Sequence, residues 1–415
     1  MSDKFEYEKK IIGQLIKYYR KQSTYTVDSF ILDENNNRIC SKNTLYRLEE
    51  GNLVKDEMVY YHLAKKLGKE VIFNRYDIYE KLEMYRELLV DNIVDFSKTN
   101  LEKLEARLII DIDKYQDVLY INEILLLYRN LIQDRINSNN GPLKAEIDIL
   151  LYLKDKVSLS NRKIIIYYFY VGMFRRGDYE IDLNKIIDEG KQYINDPLFY
   201  EIKLDILYEM DMLSAYDYLI TVELPKINSL TSYQKYLLYN LFEFVQLNSG
   251  SFQEAYNSML KAYELIKISD FGRNEIYNCY SRLGFNAYCM KRYELTTDWL
   301  MKAFNERKSL GKNLIFLCSS LERTKNIDLI RRVLKNTDFS IIKAPYNKKV
   351  YTYYKLKYLK EKNSKKDIIK LENYICDLKP YFETYGQIHK DVFNEDLKEY
   401  VKITGNYKKY FLFNT

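Results

Sequence analysis

Proline and glycine are scarce in this chain, 5 and 13 among 415 residues. So few turn formers argue against a turn-rich all-β fold and favour long helices with short connections. Histidine is scarcer still: His62 and His389 stand far apart. The five cysteines, at 40, 279, 289, 318 and 376, form no C-x-x-C pair. A structural zinc site and a disulfide framework are both disfavoured, and Cys279 and Cys289 read as small apolar packing groups. The start, MSDKFEYEKKIIGQLIKYYRKQ, has no apolar signal region, and no apolar run reaches membrane-spanning length. The expected location is cytoplasmic, with no membrane partner. Motifs of catalysis are missing too. No G-x-x-x-x-G-K, H-E-x-x-H or G-x-S-x-G occurs. Asp111, Asp113 and Asp117 lie close together but lack the glycine and closing glutamate of a calcium loop, and are expected to be exposed helix charges. The chain is therefore expected to be no enzyme and to need no cofactor or metal.

What is present is a packable sequence, 47% apolar and 30% charged, long enough for two or three structural units. Tyrosine is extreme, with 43 residues. Its ring fills a core while its hydroxyl reaches the edge, which suits a thin helical array with much half-buried surface. The net charge of +6 permits nucleic-acid binding without requiring it.

In the first seventy residues, Ile11, Ile12, Leu15, Ile16 and Tyr19 have helical spacing. A second helix is expected after Ser23 or Thr24, and DENNNR is a polar turn. In ICSKNTLYRLEEGNL, Ser41 is placed to cap a helix that begins at Lys42, and Gly51 to end it. A fourth helix follows, with Met58, Leu63 and Leu67 inward and Gly68 as its stop. In the third helix Thr44, Leu45 and Leu48 share one side. Lys42, Asn43, Tyr46 and Arg47 fall largely on the other. Lysine and arginine donate to guanine, and asparagine pairs with adenine, from the first turns of a helix lying in the major groove. The plain alternative is a solvated face on a structural bundle.

These residues resemble the Xre, or phage-repressor, class of helix-turn-helix domain. In that class an arginine of the first helix pairs with a glutamate closing the recognition helix. The matching positions are Arg20 and Glu49, and the base-reading positions fall on Lys42, Asn43 and Arg47. The segment between the first and third helices is a few residues longer than usual, with DENNN as the insert. Residues 1–72 hold 13 Lys or Arg and 11 Asp or Glu, a net of only +2. Phosphate neutralisation supplies much of DNA affinity, so such a domain is expected to work as a homodimer.

Beyond residue 73 the pattern is almost continuously helical, and two units align at an offset of 41 residues. Phe242 matches Leu283, Gly250 matches Lys291, and Phe252 matches Tyr293. Met259 matches Leu300, and Ala262 matches Ala303. The order L-G-x-x-A-Y, then Tyr, then Ala resembles the tetratricopeptide repeat, although its usual period is 34. A fainter unit is expected around Gly177 and Tyr179, degenerate repeats at 198–224 and 313–336, and two or three closing helices over 366–412. The expected fold is all-α: a helix-turn-helix bundle over 1–72, then a tetratricopeptide-like solenoid over 73–415. First helices of repeat pairs line a concave face. That face would carry Asn240, Phe244, Asn248, Asn278, Ser281, Phe285 and Tyr288. Asparagine can hold both backbone groups of an extended peptide, and aromatics can take its side chains.

The two parts together resemble the peptide-pheromone-responsive regulators of Gram-positive bacteria, the Rgg, PlcR, NprR and PrgX group. That resemblance implies a homodimeric transcription regulator acting on double-stranded DNA and modulated by a short signalling peptide. The alternatives are a repeat scaffold for a protein partner and a peptide-independent repressor.

Overall fold

The computed structural model describes residues 2–73, 75–137, 144–174, 188–360, 365–382 and 386–414. Among the described residues the chain is all-α. No strand occurs, only isolated bridges at Leu32–Arg38 and Glu70–Val118, and no helix is long and apolar enough to cross a membrane. The chain divides into two compact units. One is Met1–Glu209 with Leu230–Gln234, and the other is Met210–Ser229 with Lys235–Thr415.

The first unit opens with α1 (Ser2–Gln22), α2 (Val27–Phe30), α3 (Lys42–Glu49) and α4 (Glu57–Lys66). Ile11, Ile12, Leu15 and Ile16 of α1 are buried with Leu45 and Leu48 of α3 and with Leu63 of α4. Some local expectations fail. The cap of α2 is Thr26, not Ser23 or Thr24, and the helix is a single turn. Ser23 is drawn instead to the end of α1, where its hydroxyl donates to the Arg20 carbonyl. Met58 is exposed, because Val59 and Tyr60 supply the buried side of α4. The DENNNR turn is tied by Asp33, whose carboxylate accepts from the amides of Asn35 and Asn37.

Among the described residues six further helices belong to the unit: α5 (Tyr76–Val94), α6 (Lys98–Lys114), α7 (Ile121–Asn137), α8 (Lys144–Lys154), α9 (Leu159–Phe174) and α10 (Tyr200–Glu209). Asp111 of α6 is buried rather than exposed. It accepts from the Tyr85 hydroxyl at 2.6 Å and from Lys81 at 2.8 Å, so its charge is a clasp between α5 and α6. The faint repeat expected at Gly177 and Tyr179 lies outside the described residues.

Among the described residues the second unit contains α11 (Met212–Tyr218) and five helical hairpins, the first of which begins at 232, three residues before this unit's own stretch from Lys235. They are α12 (Ser232–Asn248) with α13 (Phe252–Ile268), α14 (Arg273–Cys289) with α15 (Tyr293–Arg307), and α16 (Leu314–Arg323) with α17 (Ile327–Asn336). Then come α18 (Pro345–Tyr358) with α19 (Lys365–Cys376), and α20 (Gln387–Thr404) with α21 (Tyr407–Asn414). The matched positions Leu283, Met259, Leu300, Ala262 and Ala303 are all fully buried. Gly284 lets α14 and α15 touch: a Cβ there would lie 2.5 Å from Leu300 Cδ2. One turn recurs in three hairpins. Gly250, Lys291 and Lys325 all take left-handed backbone, with φ of 80°, 60° and 59°. In each, that residue's amide bonds the carbonyl three back, and the next amide bonds the one five back. This is the paired closure of a glycine-type helix end, made twice by lysine.

Charge also joins hairpins inside this unit. The Lys357 ammonium of α18 donates to Glu322 of α16 at 2.6 Å and to Asp396 of α20 at 2.7 Å. His389 of α20 is buried, bonds the Tyr346 hydroxyl at 2.8 Å, and meets the Phe316 ring edge-on. Burial, with Lys312 nearby, lowers its pKa to about 4.

A left-handed lysine carries a steric cost that glycine avoids, partly offset by glycine's freer unfolded chain. Lys291→Gly and Lys325→Gly should each stabilise by up to about 1 kcal/mol in urea unfolding, and Gly250→Lys should do the reverse. For His389 the folded pKa lies below the ordinary 6.5. The unfolded chain therefore binds the proton first, and this contribution is complete above pH 6.5 and lost as pH falls towards 4. It amounts to roughly 3 kcal/mol at most. Stability curves of the native chain and of His389→Gln should converge across that window, whereas parallel curves would refute a neutral buried imidazole.

Candidate functional site

The helix α3 has only eight residues, too short to persist alone in water. It is held at both ends and from beneath. The Ser41 hydroxyl accepts the Thr44 amide at 3.0 Å, capping its start. Gly51, at φ 79°, closes its end through bonds from its own amide to Leu48 and from the Asn52 amide to Arg47. Underneath, α1 comes so near that a Cβ on Gly13 would lie 2.3 Å from the Leu48 carbonyl oxygen. The Arg20 guanidinium then grips Glu49 with two parallel bonds, Nε to Oε1 at 2.5 Å and Nη2 to Oε2 at 2.8 Å. Only 2% of the Glu49 side chain is exposed. Hydrogen bonding to Glu49 raises the Arg20 pKa further, against the opposing effect of burial.

The upper side of α3 is free of such work. Lys42, Asn43, Tyr46 and Arg47 are all exposed on it. Lys42 makes an ion pair with Asp28 of α2, both groups open to solvent. Lys66 of α4 secures α2 from the other side by donating to the carbonyls of Ser29 and Leu32. The arrangement is a rigid short helix that presents two cations, an amide and a phenol outward.

Helix α1 is itself latched to the helices that follow the bundle, all within the first unit. The Tyr19 hydroxyl donates to Glu123 of α7 at 2.6 Å. Tyr152 of α8 donates to the Gln14 carbonyl at 2.9 Å, and Tyr7 donates to the Lys156 carbonyl at 2.7 Å. Local spacing cannot reveal these latches, because their partners are separated by 104 to 149 positions.

The residues expected at a peptide site lie on neighbouring first helices, Asn240, Phe244 and Asn248 on α12 and the other four on α14. Their exposure differs. Asn248 and Asn278 are exposed, and Phe244 and Phe285 are half-buried. Ser281 and Tyr288 are buried. The Tyr288 hydroxyl shares a hydrogen bond with Ser319 at 3.0 Å, and Phe285 packs on Phe316 with ring centroids 4.9 Å apart. Asn240 is engaged on both sides: its amide donates to the Tyr236 carbonyl, and its Oδ1 accepts from Arg282.

Arg282 is the residue that the sequence reading missed. Its guanidinium bridges the two helices, donating to the Asn240 carbonyl at 2.6 Å and to Glu243 at 3.0 Å. Glu243, buried, also accepts from Asn286 at 2.7 Å. Lys312 stands close enough that burial first, and then the Arg282 charge, lowers its pKa. A signal existed, since residue 282 falls four after Asn278 on the same helical face. Among the described residues no cluster of His, Cys, Asp or Glu could hold a metal. Burial pushes the Cys279 and Cys289 thiols up to about 12, so they are packing groups at neutral pH.

No family model and no curated protein matches the chain. Solved structures are similar to it. The apo form of RapI is 14% identical, matches 80% of this chain and 98% of its own, and gives a TM-score of 0.43. PlcR of Bacillus thuringiensis, in complex with the peptide PapR7 and DNA, is 13% identical. That match covers 85% of this chain and 100% of PlcR, with a TM-score of 0.26.

Removing one partner of a buried, doubly bonded ion pair strands the other charge. Arg20→Ala should cost roughly 3 kcal/mol. In amide exchange the loss should be read first in α3, whose own turns cannot hold it.

Proposed function

We propose that this chain is a homodimeric DNA-binding transcription regulator, with residues 1–72 as a helix-turn-helix domain and 73–415 as a tetratricopeptide-like domain for peptide binding and dimerisation. The observation that carries the reading is α3. It is clamped at its cap, its end and its underside, while Lys42, Asn43, Tyr46 and Arg47 stand exposed on the remaining face. Clamping of that kind is costly for a mere surface helix and useful for one that must present side chains to base edges without rearranging. The Asp28 partner of Lys42 is solvent-exposed, so a guanine or a phosphate can replace it at little cost.

The repeat domain is proposed to take a short signalling peptide along α12 and α14. Asn248 and Asn278 would hold peptide backbone, with Phe244 and Phe285 beside them and Asn240, Ser281 and Tyr288 shaping the floor. Arg282 and Lys312 would favour an anionic group of the peptide. The peptide acts through its difference in affinity for two arrangements of the dimer.

The test is a mobility shift with DNA from the neighbourhood of the gene. Binding should weaken steeply with salt. A good bidentate base contact contributes about 1–3 kcal/mol, so Lys42→Ala, Asn43→Ala and Arg47→Ala together should weaken binding at least ~100-fold while the circular dichroism spectrum is unchanged. Full binding by that triple variant would sink the assignment of α3.

A further inference from the structure

Three rings of the second unit meet in one corner: Tyr263 of α13, Tyr280 of α14 and Trp299 of α15. The Trp299 centroid stands 5.0 Å from that of Tyr263, nearly edge-on, and 5.9 Å from that of Tyr280, nearly parallel. Tyr263 and Tyr280 are 5.9 Å apart. The indole is fixed in direction, because it is buried and its N–H donates to the Tyr256 hydroxyl at 3.0 Å. Both tyrosines of the corner are half-buried, so their rings reach solvent.

A cation already stands on these rings. The Lys302 ammonium lies 4.1 Å from the centre of Trp299, 5.9 Å from Tyr263 and 6.0 Å from Tyr280. Among the described residues it makes no ion pair, so the rings are what hold it. Its neighbours are committed elsewhere. Lys267, 4.9 Å from the Tyr263 ring centre, is paired with Glu264 at 2.7 Å. Glu306 faces Arg273 at 3.6 Å. The Tyr280 phenol is raised by burial first, then by the charges of Tyr263 and Glu306, a field whose sign favours a cation here. Lys302 itself is exposed, and a lysine ammonium is strongly hydrated, so its hold on the rings is weak. A methylated ammonium carries the same charge on a less hydrated head, and tryptophan with tyrosines is the ring set that recognises such heads.

We propose that this aromatic corner binds a small quaternary ammonium of the choline type, its head taking the position that the Lys302 ammonium holds. Lys302 then turns out into solvent, at little cost because no carboxylate releases it. The site rests on neither the DNA-binding nor the peptide-binding reading.

Trp299 is the chain's single tryptophan, so its emission reports on this corner alone. Choline chloride is titrated into the full chain at constant ionic strength, with 3,3-dimethylbutan-1-ol as the neutral isostere. Choline should change the emission with a Kd of about 1–10 mM, and the alcohol should bind at least ~10-fold more weakly. Lys302→Ala, which vacates the position, should tighten choline at least ~3-fold. Tyr280→Leu, which removes one wall and keeps the reporter, should weaken it at least ~5-fold, and thermal melts report whether each variant is folded. Phosphatidylcholine vesicles separate the two sources of such a head: they should neither change the emission nor sediment the chain. A response to vesicles where free choline gives none overturns the small-ligand reading. No response of the native chain up to ~100 mM choline, equal binding of the alcohol, or unchanged affinity in folded Lys302→Ala or Tyr280→Leu overturns the site itself.

Discussion

The forked bond between Arg20 and Glu49 is the contact on which the presentation of α3 depends. An eight-residue helix cannot fix its own direction, so its direction is inherited from whatever it is bolted to. Here that is α1, through the guanidinium and through the bare backbone of Gly13 against Leu48. Each half needs the other. Without the close approach the fork would be out of reach, and without the fork a buried glutamate would be unpaired. Planar arginine suits this role better than lysine, because two parallel bonds set angle as well as distance.

The same logic extends one layer outward. Helix α1 is 21 residues and so about 30 Å long, enough to touch both α3 and the helices beyond the bundle. Three tyrosines, Tyr7, Tyr19 and Tyr152, tie it to α7, α8 and the turn after α8. Tyrosine fits such a position because its ring packs while its hydroxyl reaches a carbonyl or carboxylate several ångströms away. The abundance of tyrosine in the composition thus has a structural use, visible again at Tyr85, Tyr346 and Tyr353, each bonded to a buried or half-buried polar partner.

What could be read from the sequence was local. The cap at Ser41, the stops at Gly51 and Gly68, the two sides of α3 and the 41-residue repeat all depend on neighbours a turn or a hairpin away. The Arg20–Glu49 pair, 29 positions apart, came from a family resemblance rather than from spacing. Errors arose where a distant partner decides. Asp111 looks like a surface charge until Tyr85 and Lys81 close over it. The burial of Tyr288 by Ser319 and Phe316 of the next hairpin is likewise set by partners beyond the reach of local spacing. Ser23 is as good a cap as Thr26 in isolation, and loses because the end of α1 uses it.

The second unit uses opposite means to the same end. Three of its hairpins repeat one turn, so those joints are locally determined, even where lysine must sit in left-handed backbone to make them. Buried charge then joins hairpin to hairpin at single places: Arg282 with Glu243 between α12 and α14, and Lys357 with Glu322 and Asp396 among α16, α18 and α20. Apolar packing alone would let neighbouring hairpins slide at small cost, since one methyl contact resembles the next. A buried ion pair does not tolerate sliding, because a displaced partner is left desolvated and unpaired. Such joints therefore fix the register of one hairpin on the next, which apolar area alone does not.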